Sequence, residues 1–227
     1  MLPKTDKDIG IDRREVYRYL GYGRNTPDAG TAGMIDACIR DVIVNAELRY
    51  VAGRFPVVKS EVEGGLRIGD AEVTSGDLAR NLKDCKEAYL MGVTIGIGVD
   101  RLIARATVTD VTKAAIYQAA GAAYIEAFCD YVNEEIKAIA CREDMETRPR
   151  YSPGYGDLPL DYQKDIFRLL DLSKNVGISL TESRTMSPSK SVTAIIGLRR
   201  KGAPEERRAS TTKCESCEQT DCRFRER

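Results

Sequence analysis

The alternation of apolar and polar residues predicts helices and strands in mixed order along the chain. Apolar residues recur at helical spacing over residues 12–20 and 32–45, and Ser75 is a candidate N-cap for a third helix. Residues 49–73 instead follow a period of two on both sides of residues 63–65, which predicts a β-hairpin. Helices and hairpins in mixed order are typical of an α+β domain around one antiparallel sheet.

The middle of the chain carries the most strongly patterned elements. Residues 88–95 form a continuous apolar run of strand length, which predicts a buried central strand. The glycines of residues 95–100 do not complete the GxGxxG nucleotide-binding pattern, so they predict a tight turn from strand to helix. A long helix is then predicted from residue 109 or 110 to about residue 140, with one continuous apolar stripe.

The last third of the chain predicts one more helix and one more hairpin. Residues 162–175 are amphipathic with a helical period, and Gly177 ends that helix. Residues 178–186 and 191–198 read as extended, joined by Ser-Pro-Ser-Lys in a hairpin-like connection. Beyond residue 200 the composition becomes charged. We therefore predict a domain at 1–200, a flexible linker at 201–213 and a cysteine-containing tail at 214–227.

The length and the charge balance of the chain limit the number of domains and the kinds of partner that we expect. The 227 residues suit one large domain or two small ones. Lys and Arg together number 35, equal to Asp and Glu, so no overall field attracts nucleic acid or an anionic membrane. No apolar run approaches the length of a membrane span, and the N-terminus lacks the apolar core of a signal peptide. We expect a cytoplasmic protein that binds neither nucleic acid nor membrane.

The absence of histidine restricts the chemistry of the chain. It excludes Ser-His-Asp and Cys-His catalysis within the chain and every metal site that needs an imidazole. The seven cysteines are an odd number without a secretion signal, so we expect no disulfide framework. Four of them lie mostly in apolar patterns and are predicted to be core residues. These are Cys38, Cys85, Cys129 and Cys141.

The other three cysteines lie together near the C-terminus. Cys214 and Cys217 are separated by two residues, a spacing that can chelate one metal ion, and Cys222 is close enough to complete the site. Three thiolates could hold zinc, or an iron–sulfur cluster with one open iron. A disordered tail of reduced thiols is the alternative, and the sequence leaves both open.

The segment RYSPGYGD, which begins at Arg150, is too irregular for a helix or a strand. Pro153 fixes its own φ and Gly154 permits a positive φ, so the backbone forms a shaped loop. The guanidinium of Arg150 offers a bidentate fork to a carboxylate, and Tyr151 and Tyr155 offer faces to a heterocycle. An ordinary surface turn with an arginine ion pair is the alternative that these residues alone leave open.

Three segments in the same order resemble the reactivation domain of cobalamin-dependent methionine synthase. Arg-x-x-x-Gly-Tyr, ending at Tyr155, resembles the family signature. Residues 125–136 resemble its long helix, and residues 180–192 its strand-turn-strand segment. Three ordered segments are much more specific than one short motif. The family domain ends a multidomain enzyme, so this chain resembles a stand-alone version, with a twisted antiparallel sheet and packed helices.

The resemblance implies a function in reactivation. The family domain offers S-adenosylmethionine to a cobalamin that has been oxidised to an inactive state, while a flavodoxin- or ferredoxin-type donor supplies an electron. Here the cobalamin would be held by a separate polypeptide, a methionine synthase or another corrinoid methyltransferase. The chain would then be a methyltransferase component rather than an independent enzyme. No residue is expected to act as a catalytic acid or base, since the sulfonium methyl group is already activated.

The resemblance also implies roles for individual residues. Arg150 would bind the methionyl carboxylate, and Glu126, which matches a family glutamate, would accept from the ligand's ammonium group. By its pattern alone, Glu126 would be a solvated glutamate, which is the usual case for a single glutamate on a helix. The implied S-adenosylmethionine-binding set is Glu126, Arg150, Tyr151, Ser152, Pro153, Gly154 and Tyr155.

Two departures from the family pattern bear on the site. Gly156 stands where the family has proline, which is expected to loosen the loop. The family's tyrosine-containing extension after the second strand is missing, so the adenosine half of the site would be incomplete or completed by a partner. Two other functions stay open. One is an activator of a corrinoid protein in anaerobic methyl transfer, with the tail as metal or Fe–S site, and the other is an interaction module without ligand binding.

Overall fold

The structure is a computed structural model that describes residues 9–23 and 25–202. The strands are β1 (Arg49–Lys59), β2 (Gly65–Ile68), β3 (Ala71–Thr74), β4 (Glu87–Thr94), β5 (Met145–Thr147), β6 (Ser179–Leu180), β7 (Met186–Ser187) and β8 (Ser191–Arg200). The α-helices are α1 (Arg13–Tyr19), α2 (Ala29–Asn45), α3 (Gly76–Asn81), α4 (Ile97–Thr109), α5 (Val111–Arg142), α6 (Gln163–Leu170) and α7 (Leu172–Val176). A single 3-10 turn precedes α6.

Among the described residues, six strands form one antiparallel sheet in the order β3-β2-β1-β4-β8-β5, while β6 and β7 form a separate pair. The apolar run that predicted a central strand is β4, which pairs along its length with β1 on one side and β8 on the other. Every residue of β4 after Glu87 is buried, as expected for a strand covered on both faces.

Helices cover both faces of the sheet and enclose two apolar cores. On one face α1, α2, α4 and α5 pack around residues that include the fully buried Phe128. On the other face α3, α6 and α7 pack around Ile166 and Leu172. Full burial of a side chain such as Phe128 stabilises the fold by roughly 1.5–3 kcal/mol. This arrangement confirms the predicted α+β class.

Capping side chains set where the helices begin. Ser75 accepts a hydrogen bond from the N–H of Leu78 and starts α3, as predicted. Asp110 accepts a hydrogen bond from the N–H of Lys113 and starts α5. The 32 residues of α5 match the predicted long helix. Asp28 accepts from the N–H of Thr31, so α2 begins three residues earlier than its apolar period indicated.

The helix predicted over residues 162–175 is in fact two helices. Asp171 adopts a left-handed conformation with φ of 44°, which separates α6 from α7. Aspartate tolerates this region better than most residues. The side-chain amide of Asn175 donates to the carbonyl of Leu170 at 2.7 Å, which satisfies a carbonyl freed at the break. Gly177, with φ of 70°, ends α7 as predicted.

The second predicted hairpin is wrong, because β8 pairs with β4 and β5 rather than with residues 178–186. Those residues contribute the two-residue strand β6 and Met186, the first residue of β7, and these two short strands pair with each other. A tight turn interrupts them: the N–H of Thr181 donates to the carbonyl of Thr185, and Arg184 has φ of 66°.

Three of the four cysteines predicted to be buried are buried, but Cys141 is exposed. It lies in the last turn of α5, where its thiol accepts from the ammonium of Lys201 at 3.2 Å rather than packing in the core. Within residues 9–23 and 25–202, no helix combines the length and the apolarity that a bilayer crossing demands.

Candidate functional site

The predicted site lies beside the N-terminal part of β8, where the pairing on the side of β5 has ended. β5 covers the C-terminal part of β8, and Tyr151 extends this pairing by an isolated bridge to Ile195, with N–H to carbonyl distances of 2.9 and 2.8 Å. Past this bridge the chain turns away. On the side opposite β4, no described strand then pairs with residues 191–194, which we call the free edge of β8. A cavity of about 340 Å³ opens beside this free edge.

The structure brings most of the predicted binding residues into this cavity. Six of the seven line it directly; Gly154 does not, but it shapes the loop that carries the others. Their part in binding stays a prediction, while their proximity is a feature of the fold. The six are Glu126, Arg150, Tyr151, Ser152, Pro153 and Tyr155.

Arg150 is held by two carboxylates of α5 and keeps one free amino group. Its Nη2 lies 2.8 Å from Asp130 and 3.5 Å from Glu126. Its Nη1 is buried and has no hydrogen-bond partner among the described residues. A buried guanidinium donor without a partner costs free energy, so this atom is suited to bind a carboxylate that enters the cavity.

Glu126 supplies the opposite charge beside Arg150. Its side chain is 54% exposed, so its carboxylate remains accessible to a ligand although it is close to the arginine. A carboxylate and a guanidinium a few ångströms apart complement the ammonium and carboxylate groups of an amino acid. This pair can therefore bind a zwitterion, with the ligand carboxylate at Arg150 and the ligand ammonium at Glu126.

The loop after Arg150 closes on itself through its backbone. Gly154 has φ of 91°, which glycine adopts readily, and its N–H donates to the carbonyl of Leu158 at 3.0 Å. The N–H of Tyr155 donates to the carbonyl of Ser152, and the N–H of Leu158 donates to the carbonyl of Tyr155. The side chain of Tyr155 remains 61% exposed. Its ring is therefore available for stacking at the rim of the cavity.

The expected loosening of the loop at Gly156 stays a prediction, and the structure shows close packing around this residue. Its φ of 53° is inaccessible to proline, and a Cβ atom there would collide with the carboxylate of Asp77. The following residue, Asp157, accepts from the hydroxyl of Ser75 and from the N–H of Gly76 at 2.7 Å. These bonds lower the pKa of Asp157, the hydroxyl bond most strongly. The loop is thus fastened to the start of α3.

Cys129 is a core residue close to Arg150. Its side chain is fully buried. Burial raises the pKa of its thiol to about 12, although the charge of Arg150 opposes the shift. The thiol therefore stays protonated near neutral pH and behaves as a small apolar core residue.

Several residues that line the cavity were not predicted from the sequence. Met186 and Ser191 lie in the segment that resembles the family's strand-turn-strand, so that resemblance was a signal for them. Gln163 and Thr193 had no such signal, because neither a motif nor a period distinguishes them. They line the cavity only because α6 and β8 meet there. The unpredicted lining residues are Gln163, Met186, Ser191, Val192, Thr193 and Ala194.

The predicted metal site cannot be placed in the fold. Cys214, Cys217 and Cys222 lie outside the described residues. Within those residues, no group of three or more cysteine or acidic side chains is arranged to hold a metal ion. The zinc or iron–sulfur site in the tail therefore stays a prediction.

Comparison with known proteins identifies the family of this chain. The model of the family described as "Vitamin B12 dependent methionine synthase, activation domain" matches residues 70–203, more than half of the chain. Among solved structures, the chain resembles the MetH reactivation domain bound to AdoHcy, with 18% identity, a TM-score of 0.60, and coverage of 81% of this chain and 70% of that one. No curated protein matches. The chain belongs to the family of vitamin B12-dependent methionine synthase activation domains.

Proposed function

We propose that this chain binds S-adenosylmethionine at the free edge of β8 and supports the reductive methylation of oxidised cobalamin held by a partner protein. Membership in the activation-domain family supports the role in reactivation. The similar MetH domain was crystallised with AdoHcy, S-adenosylhomocysteine, which is what remains of S-adenosylmethionine after its methyl group leaves.

The observation that carries the proposal is the unpartnered Nη1 of Arg150 beside Glu126. S-Adenosylmethionine has an amino-acid zwitterion at one end, which this pair complements. The carboxylate of the ligand would give Nη1 the partner that it lacks among the described residues. The exposed ring of Tyr155 lies on the same loop and offers a face to the rest of the ligand.

The residues of the cavity position the ligand and need not transfer protons. The sulfonium of S-adenosylmethionine carries an activated methyl group, which passes to the partner's reduced cobalt and leaves S-adenosylhomocysteine in the cavity. An electron donor of the flavodoxin or ferredoxin type supplies the electron that reduces the cobalt. The contribution of this chain is orientation of the ligand and exclusion of water. A cavity without histidine is sufficient for that task.

Transfer of a labelled methyl group tests the proposal. The partner would be the corrinoid methyltransferase recovered with this chain from native cells, with its cobalamin oxidised. We expect label from S-adenosylmethionine to reach the cobalamin only when this chain and a reductant are both present. Arg150→Ala should abolish most of the transfer. Equal transfer with and without the chain would overturn the proposal.

A further inference from the structure

Two more buried polar atoms of the cavity lack partners. Gln163 and Thr193 are only 6% and 2% exposed. The side-chain oxygen of each, Oε1 and Oγ1, makes no hydrogen bond to any part of the chain that the structure describes. Leaving such an atom unsatisfied costs free energy, so two of them in one cavity indicate polar groups that enter from outside.

These two atoms lie on the side of the sheet opposite Glu126. Thr193 points to the same face of β8 as Ile195, two residues later, which packs with Ile166 of α6 in the second core. Gln163 is the first residue of α6. Glu126, by contrast, projects from α5, which covers the other face. The cavity therefore wraps around the free edge of β8, with charged groups on the α5 side and neutral polar groups on the α6 side.

This polarity fits a ligand with a zwitterion at one end and an uncharged heterocycle at the other. Adenine has an amino donor next to a ring nitrogen acceptor. Met186, which packs against the second core, adds an apolar contact on the α6 side. The unsatisfied amide oxygen of Gln163 can accept a hydrogen bond from the amino group, and the hydroxyl of Thr193 can donate one to the ring nitrogen.

We propose that Gln163 and Thr193 form the adenine subsite of the cavity, an inference that rests on the proposed binding of S-adenosylmethionine. Oε1 of Gln163 accepts from the exocyclic amino group, and the hydroxyl of Thr193 donates to the adjacent ring nitrogen. The family's tyrosine-containing extension, which would contact the adenosine half of the ligand, is missing here. This subsite lets the chain supply contacts to the adenosine half itself.

Calorimetry with two matched ligands, S-adenosylhomocysteine and S-inosylhomocysteine, tests the subsite. Hypoxanthine replaces the amino donor by a carbonyl and the acceptor nitrogen by an N–H. We expect the parent protein to prefer the adenosyl ligand by about tenfold or more, since a site built around a hydrogen bond rejects an analogue that lacks it. Gln163→Met should weaken adenosyl binding by about tenfold and remove the preference.

Two further variants separate hydrogen bonding from shape. Gln163→Glu keeps an acceptor but removes the amide donor, so it should retain the preference for the adenosyl ligand. Thr193→Val keeps the shape and removes the hydroxyl, and it should weaken adenosyl binding by about tenfold. Gln118→Met is the matched control, because Gln118 is exposed on α5 away from the cavity. It should leave the affinity for both ligands unchanged.

Thermal melting without ligand distinguishes this role from a structural one. Gln163→Met and Thr193→Val remove buried polar atoms that the described residues leave unsatisfied. The ligand-free protein should therefore melt at the same temperature or higher while its affinity falls. A lower melting temperature with unchanged affinity would make both residues structural and overturn the subsite.

The outcomes also separate this inference from the proposed function. If the parent protein binds neither S-adenosylmethionine nor S-adenosylhomocysteine, the proposed function fails and the subsite fails with it. If the parent binds both while the two variants keep full affinity and full preference, only the adenine subsite is overturned. In that case water occupies the two polar positions.

Discussion

At the scale of single residues, the site depends on which of two similar carboxylates faces the ligand. Glu126 and Asp130 lie one turn apart on α5, and both are within 4 Å of the guanidinium of Arg150. Asp130 makes the shorter contact, but only Glu126 lines the cavity. We therefore propose that Asp130 orients the arginine and that Glu126 binds the ammonium group of the ligand.

Glu126→Gln should weaken S-adenosylmethionine binding, because it removes the charge while keeping the shape of the side chain. A hydrogen bond to a charged group contributes about 1.5–3 kcal/mol, so the loss should be at least about tenfold. The melting temperature should barely move, since the side chain is half exposed. Calorimetry and thermal melting measure the two effects.

Asp130→Asn is the matched control, and we expect it to leave most of the affinity intact. If Asp130→Asn weakens binding more than Glu126→Gln does, the assignment of the two carboxylates is reversed. A large loss of stability in Glu126→Gln with unchanged affinity would make Glu126 a structural residue.

Gly156→Ala should destabilise the protein by at least about 1–2 kcal/mol, the cost of a left-handed conformation for a residue with a side chain. Its φ is 53°, and the added Cβ would also meet Asp77 and the hydroxyl of Tyr151. Gly33→Ala is the control. It lies in α2 with nothing within 4 Å of the new atom, so it should stabilise the helix. Equal unfolding free energies for both variants would contradict the description of this loop.

At the scale of elements, the sequence predicted best where one pattern ran uninterrupted. The apolar run of β4 and the long stripe of α5 both appear as expected. The break at Asp171 was missed because the apolar period continues across it, while the backbone departs from the helix at one residue. The second hairpin was predicted wrongly because a local pattern indicates that a segment is extended but does not indicate which strand the segment pairs with.

The loop and α3 form one unit through Asp157, which gives a prediction on pH. Hydrogen bonds from Ser75 and from backbone N–H groups lower the pKa of this carboxyl below its unfolded value of about 3.9. Its contribution to stability is therefore present above about pH 3.9 and is lost as the pH falls through the lowered folded value. Asp157→Asn should unfold more easily near neutral pH.

Chemical denaturation of the parent and of Asp157→Asn, between about pH 7 and pH 2, measures this effect. The difference in unfolding free energy should be largest near neutral pH and should shrink in acid, where the parent's carboxyl is protonated. A difference that stays constant over the whole range would show that charge on Asp157 does not hold the loop.

At the scale of the whole molecule, the site is assembled from parts far apart in sequence. The resemblance to the family predicted the α5 glutamate and the Arg150 loop as cavity residues, because both lie in recognisable segments. The place of Gln163 and Thr193 in the cavity was not predictable, since it depends on α6 meeting β8 across the sheet. Their unsatisfied oxygen atoms become visible only when the burial of each side chain is known.

Deletion of residues 204–227 should leave the melting temperature nearly unchanged. This segment is highly charged and carries few apolar residues, so its removal costs little apolar burial. S-Adenosylmethionine binding should survive as well, because every cavity residue precedes the cut. Thermal melting and calorimetry on the truncated chain test both points. A large fall in melting temperature would show that the tail belongs to the folded domain.

The metal content of the full chain decides between the uses proposed for Cys214, Cys217 and Cys222. Elemental analysis after anaerobic purification would detect zinc or iron. Zinc favours a small structural site, because it has no redox role. Iron with labile sulfide favours electron delivery and the corrinoid-activator alternative. Absence of metal, with full methyl transfer by the truncated chain, would remove the argument for that alternative.

The central claim is that the guanidinium of Arg150 binds the carboxylate of S-adenosylmethionine. Calorimetric titration of the ligand into the parent, Arg150→Ala and Arg150→Lys tests it most directly. We expect the parent to bind, Arg150→Ala to lose roughly 2–4 kcal/mol of binding free energy, and Arg150→Lys to recover only part, since lysine lacks the planar fork. Binding by both variants as tight as by the parent would contradict the account and place the ligand elsewhere.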